Sequence, residues 1–224
     1  MEFTIASIID SGPVRILRLD PHGAELGFKA GNFAILQFGD YPPRSYSIAT
    51  PPNINFLEFH IKTGDTGAGA QVSNLELGDT VICHGFGGNY HHQSDCNLPL
   101  LLVGGGTGLA PLMAIATERL QQNPDHPIHL YHGGRYIPDL YLDKHLRDMA
   151  DKFPNFAYVP VLSDYEDDDK LYGYAGDLAL TFVNAPYRLY AAGPVDMLRS
   201  TVGQALKMGI SPDLIHSDLA ELDK

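Results

Sequence analysis

This chain of 224 residues is short of three things: cysteine, positive charge and long apolar runs. It has two cysteines, Cys83 and Cys96. An iron–sulfur cluster normally takes four cysteine ligands, so the chain is expected to carry none of its own. In a reducing compartment neither cysteine is expected in a structural disulfide. Lys and Arg number 15 against 27 Asp and Glu, a formal net charge of −12. Nucleic-acid binding depends on cations that neutralise phosphates, so that class is excluded. A stretch such as Leu100–Val103 is far below the roughly 20 apolar residues that span a bilayer. The strand-like pattern opens at Phe3 with no basic region or apolar core before it. No export signal and no membrane association are therefore expected, and the cytoplasm is the expected location.

What is present reads as two units. The length is generous for one compact domain and comfortable for two. Short stretches rich in β-branched and aromatic residues recur at Phe3–Ile9, Val14–Leu19, Phe33–Phe38, Tyr46–Ala49, Phe56–Ile61 and Thr80–Cys83. Turn signals such as Ser11-Gly12-Pro13 and Pro51-Pro52-Asn53 separate them, which predicts a small antiparallel β-barrel or sandwich. Beyond Cys96 the pattern changes to strands at Leu100–Val103, His129–Tyr131, Ala157–Leu162 and Arg188–Ala191. These alternate with helices ending near Asn123 and spanning Leu140–Phe153, Gly176–Val183 and Pro194–Met208. Such alternation predicts a doubly wound α/β domain with a parallel sheet. The boundary is set at 97/98, giving domains 1–97 and 98–224.

The strongest local signal is Gly104-Gly105-Gly106-Thr107-Gly108-Leu109-Ala110-Pro111. It falls between a buried strand and a helix, where glycines let backbone approach a pyrophosphate and the helix offers free N–H groups. Pro111 suits a first helical turn, which has no use for its missing N–H. Ala191-Ala192-Gly193-Pro194 repeats the pattern where the strand Arg188–Ala191 ends, with Met197, Leu198, Val202, Ala205 and Leu206 of the helix expected to face inward. In the first half, Arg44 can fork onto a phosphate, Tyr46 can stack on a flat ring, and Ser45 and Ser47 can hydrogen-bond.

Taken in this order, the motifs resemble the ferredoxin–NADP reductase superfamily, over nearly the whole chain. The likeness is strongest to reductase components of bacterial multicomponent oxygenases, then to NAD(P)H:flavin reductases. The resemblance implies that Arg44 binds a flavin phosphate, Tyr46 packs on the flavin and Ser47 lies near its N5. It assigns His60, Ile61 and Lys62 to the next flavin-contacting strand. Gly67, Ala68, Gly69, Ala70 and Gln71 resemble the turn that receives the FAD pyrophosphate. Asn32 stands where glutamine is usual, and Phe86 where a proline is.

By the same resemblance Gly105, Gly106, Thr107, Gly108, Leu109, Pro111, Gly193, Pro194 and Met197 serve NADH or NADPH. Ser47 and Asp218 are the polar groups expected at the reacting rings. Ala192 replaces the cysteine of many relatives, Ala70 a hydroxyl residue, and Ser217-Asp218-Leu219-Ala220 lacks their covering aromatic. Arg135 either reaches an NADP phosphate or lies on the surface, with Asp139 close by. Asp164 to Asp169 is expected as solvated loop, Cys83 as core, and His91 and His92 as surface residues without metal.

The activity implied is hydride transfer from NAD(P)H to bound FAD, then electron transfer to a ferredoxin-like protein or oxygenase component. The alternative treats flavin (FMN or riboflavin included) as a substrate that leaves reduced. A third reading is a non-enzymatic flavin- or nucleotide-binding module of a larger assembly.

Overall fold

The computed structural model describes residues 1–93, 97–182 and 186–219. Cys96, at the expected seam, and Val183 and Ala220 lie outside the described residues. In the N-terminal part, β1 (Glu2–Ser11), β2 (Val14–Asp20), β3 (Phe33–Phe38), β4 (Arg44–Ser47), β5 (Leu57–Lys62) and β6 (Thr80–Gly87) form one sheet in the order β4-β3-β6-β1-β2-β5. Their pairing is antiparallel, and an Ile48–Phe59 bridge joins the two edges into a barrel. Alternation explains it: Ala34, Leu36 and Phe38 of β3 and Leu57, Phe59 and Ile61 of β5 point into one core, as a period of two requires. The helix α1 (Gly67–Ser73) lies between β5 and β6 in the chain.

The second sheet is parallel, in the order β10 (Leu171–Tyr172), β9 (Phe156–Leu162), β8 (Ile128–Gly134), β7 (Leu100–Gly105), β11 (Arg188–Ala192), β12 (Ile215–Ser217). Helices α2 (Leu109–Gln122) and α3 (Asp143–Lys152) cover one face, α4 (Ala175–Phe182) and α5 (Val195–Lys207) the other. Every residue of β7 is buried, as a central strand covered on both faces must be. Leu100 and Leu102 pack with α2, Leu101 and Val103 with α4 and α5.

The two sheets share a core. Val14 and Ile16, on the outer face of β2, join Ala30 and Tyr90 in one cluster with Leu112, Ile115 and Ala116 of α2. Four expectations need correction. The predicted strand at Tyr46–Ala49 runs instead over Arg44–Ser47, because Leu36 to Phe33 of β3 pair with it residue for residue. The helix predicted from Leu140 starts at Asp143, since Ile137–Asp139 first closes a 3₁₀ turn. Leu206 is 45% exposed, and Thr201 is buried in its place among the helix residues turned inward. His92 is buried rather than at the surface, its Nε2 3.3 Å from Gln122 Oε1. Cys83 is core, as expected.

Burial also sets an acid limit. It holds the imidazoles of His92, His132 and His216 down to pKa values of about 4, from an ordinary 6.5. A group whose pKa is lowered by folding binds protons more readily in the unfolded chain, so its stabilisation is complete above about pH 6.5 and is lost as pH falls towards 4. Glu118, raised by burial, works in the opposite sense but is a single group. The fully buried His132 alone should cost of order 2 kcal/mol at pH 5. Urea midpoints should therefore fall between pH 7 and pH 5. A constant midpoint would show that these rings are not buried as neutral groups.

Candidate functional site

One wall of the site comes from the barrel. On β5 the side chains of Leu57, Phe59 and Ile61 fill the core, which turns Glu58, His60 and Lys62 outward. Beside them β4 carries Ser45, Tyr46 and Ser47, with the Tyr46 ring edge-on to Phe38 at 5.5 Å. Burial raises the Tyr46 phenol pKa, and the nearby Arg44 cation opposes that rise.

The other wall is two glycine turns. Because β7 and β11 are neighbours, with Val103 opposite Ala191 and Gly104 opposite Ala192, their carboxyl ends bring Gly105–Gly108 against Gly193-Pro194. The contact tolerates almost no side chain. A Cβ on Gly108 would stand 2.2 Å from the Ala192 carbonyl oxygen, and one on Gly105 would meet Pro194 at 2.7 Å. Gly193, at φ +142, would meet the Gly105 backbone at 2.9 Å. Gly108 is thus required by turn–turn packing, whereas the sequence pattern suggested approach to a phosphate. Gly106 differs: its φ is +53 and the space beside it is open.

Between the walls lies a cleft of about 390 Å³. Ser45, Tyr46, Ser47, His60 and Lys62 line one side, Gly105–Gly108, Ala110, Gly193 and Pro194 the other. Asp218 reaches it because β12 pairs with β11, Ser217 opposite Ala191. Sharing Gly105, Gly106, Lys62 and Pro194 with it, a second hollow of about 300 Å³ continues past Gly133, Arg135, Ser163, Tyr174 and Met197. Both lie at the carboxyl ends of the parallel strands, where open α/β sheets hold ligands. A separate hollow of about 520 Å³ between α2 and α3, lined by Leu120, Met149 and Phe153, contains none of the motifs.

Several residues singled out from the sequence do not line the cleft. Arg44 is exposed at the start of β4. The side chains of Ile61, Leu109 and Pro111 are buried, the first in the barrel core. Ala192 is fully buried in the shared core. Gly67–Gln71 form most of α1, where the Gln71 amide donates to the Phe38 carbonyl and Gly69 abuts Gly64. No side chain caps that helix. Arg135 donates to Asp164 at 2.5 Å, while the Asp139 carboxylate accepts from the Arg135 and Tyr136 amides at 2.9 and 3.1 Å. The acidic loop is therefore solvated but not idle, since Asp167 also pairs with Lys170 at 2.9 Å.

Two residues escaped sequence reasoning. Tyr141 crosses to the barrel, its hydroxyl donating to His60 Nδ1 at 2.8 Å. The His60 Nε2–H then donates to Glu58 at 3.1 Å, and Glu58 also accepts from Arg18 at 2.6 Å. Burial works to raise the Glu58 pKa, but His60 and Arg18 together hold it below the ordinary value. His132 also meets the Tyr141 ring, edge-on at 5.8 Å, with its Nε2 3.2 Å from the Gly106 carbonyl oxygen. Neither residue lies in a motif. His132 sits one position beyond the predicted strand, and Tyr141 was assigned to a helix.

This fold is an antiparallel barrel and a doubly wound parallel sheet that meet at one cleft. A profile described as the oxidoreductase NAD-binding domain matches residues 102–202. The chain is 34% identical over 203 residues to the aromatic O-demethylase reductase subunit of Amycolatopsis sp., covering 86% of this chain and 61% of that one. Over 149 residues it is 33% identical to the NAD(P)H-flavin reductase of Vibrio harveyi, 63% of each chain. Among solved structures, the Amycolatopsis cytochrome P450 reductase GcoB superimposes with a TM-score of 0.88 at 31% identity, covering 97% of this chain and 69% of that one. The chain belongs to the ferredoxin–NADP reductase superfamily. It spans about three-fifths of the length of the curated relatives it matches.

The glycine geometry yields an ordering of variants. Gly108→Ala drives a methyl into backbone and should lose about 1–3 kcal/mol of stability. Gly106→Ala meets no atom but is strained at positive φ, a cost of about 1 kcal/mol. Chemical unfolding of both variants measures this, and the reverse order would show that the two turns do not interlock.

Proposed function

We propose that this chain is a flavin-dependent reductase that passes hydride from NADH or NADPH to bound FAD, and electrons onward to a ferredoxin-like protein or oxygenase component. The observation that carries the reading is that Ser45–Ser47 of the barrel, both glycine turns and Asp218 face a single cleft. The residues present fit the cofactors. Tyr46 offers a ring wall, Ser47 a hydroxyl, and the turn at Gly105–Gly108 backbone donors ahead of a helix. Arg44 and the uncapped Gly67–Gln71 segment are the proposed holders of the FAD phosphates. The division is a flavin domain over 1–97 and a dinucleotide domain over 98–224.

Bound flavin supplies the hydride acceptor, and the ring chemistry is its own. The protein's work is to hold two rings against each other and exclude water. Lys62 and Ser47 stand on the flavin side, Thr107 and the Gly193-Pro194 turn on the nicotinamide side, and Asp218 supplies a carboxylate at one end. We assign the protein to the cytoplasm, where reduced nicotinamide is held. Among the described residues no helix is long and apolar enough to cross a membrane, and the buried Cys83 is a free thiol.

A second reading, release of free reduced flavin, is favoured by the net charge of −12. An acidic acceptor protein would be repelled by it, and encounter slowed. The reductase reading ranks first because a site for riboflavin alone has no use for a pyrophosphate turn. The non-enzymatic module ranks last.

Purification decides among them. Desalted protein should be yellow and release FAD on heating, near one per chain. A colourless protein that reduces added riboflavin or FMN would establish the second reading, and one that binds flavin or nucleotide but transfers no hydride the third. Within the first reading, Asp218→Ala should slow stopped-flow reduction of the flavin about 10-fold, equivalent to about 1.4 kcal/mol of transition-state stabilisation. Reduction at the parent rate would remove Asp218 from the chemistry.

A further inference from the structure

We propose that His132 is a positioning residue of the dinucleotide loop: by holding the Gly106 carbonyl it turns the Thr107 amide into the cleft. The inference rests on the reading that this cleft takes NAD(P)H. His132 continues the row Ile128, Leu130, His132 along one face of β8, and its side chain is fully buried. A leucine there would extend the apolar row at no polar cost, whereas an imidazole must give up water on both nitrogens. One nitrogen is compensated, Nε2–H donating to the Gly106 oxygen at 3.2 Å. The other, Nδ1, has no hydrogen-bond partner among the described residues. Packing alone does not favour histidine at such a position; a hydrogen bond to a particular carbonyl does.

That carbonyl is well chosen. A trans peptide is planar, so its C=O and the following N–H point in opposite directions. The Gly106 oxygen accepts from the Leu109 N–H that closes the 3₁₀ turn and, from the core side, from His132. With that oxygen held inward by both, the N–H of Thr107 is directed away from the core, and Gly106 and Thr107 both line the cleft. Gly106 can accept this orientation because its φ is +53. Burial keeps the ring neutral, with a pKa of about 4, so the arrangement of one donor and one bare nitrogen persists at neutral pH.

The ring is itself held from the barrel side. Tyr141 meets His132 edge-on at 5.8 Å and His60 at 5.4 Å, and its hydroxyl is tied to His60. Glu58 and Arg18 complete the row on the outer barrel face. The loop that receives one cofactor is therefore braced against β5, the strand that faces the other.

The test uses two replacements in the full chain. The amide nitrogen of His132→Gln can stand where Nε2 does, whereas His132→Leu has no donor. Calorimetric titration with ADP-ribose reads the loop without involving flavin reduction. Leu should weaken ADP-ribose binding and raise the KM for NAD(P)H about 5–10-fold, the worth of one hydrogen bond. Its kcat should change less and its flavin content stay at the parent level. Gln should remain within about 2-fold of the parent on the same scale. Leu binding as the parent does, or Gln failing as Leu does, would overturn the role given to the donor. Should the Leu variant fail to fold, His132→Asn replaces it, its amide being too short to reach; equal binding by Asn and Gln would then overturn the proposal. If the parent itself binds no ADP-ribose and is not reduced by NAD(P)H, the functional reading of the cleft fails instead.

Discussion

The cleft exists because the outer face of β2 is apolar. Barrel strands of this size need bury only one face, yet Val14 and Ile16 are buried on the second face as well, against α2. Removing that area from water holds two sheets together at about 25 cal/mol for each Å² of apolar surface. Each wall of the cleft belongs to a different sheet, so its width depends on this contact between them. Close approach at the rim supports it: a Cβ on Gly12 would stand 2.7 Å from the Pro138 carbonyl, and Ser11 donates to the Tyr141 carbonyl at 2.6 Å.

Polar groups at the seam then convert proximity into orientation. A hydrophobic contact is non-directional and would permit sliding. The row Arg18, Glu58, His60, Tyr141 is directional: each donor has one acceptor within reach, and the tautomer of His60 follows from its two partners. Partial burial strengthens such bonds and makes an unpaired member costly, which is why the row acts as a unit. The two glycine turns work on the same principle by sterics, because backbone packed on backbone has a single best fit.

Much of the fold was legible in the residues. Alternation along Phe33–Phe38 gave that strand to the residue, and the run Leu100–Val103 identified a central parallel strand. The glycine turns were located by their place between strand and helix. The edge strands β10 and β12 were missed: at two and three residues they carry no period and exist only because β9 and β11 offer open edges. Thr201 was missed because its burial comes from α4, where Gly176 leaves room for its side chain.

The sequence by itself determined the order of the two sheets and the positions of both glycine turns, because each depends on local periodicity or on glycine between a strand and a helix; the family followed from the resemblance of the motifs taken in order. The tertiary structure alone decided why Gly108 must be glycine, since the carbonyl it abuts comes from Ala192, 84 positions away. It alone decided that His60 turns its ring to Tyr141, a partner 81 residues distant, and that His132 reaches Gly106. Such contacts join residues whose separation along the chain carries no pattern; they are fixed by the packing of one sheet on the other.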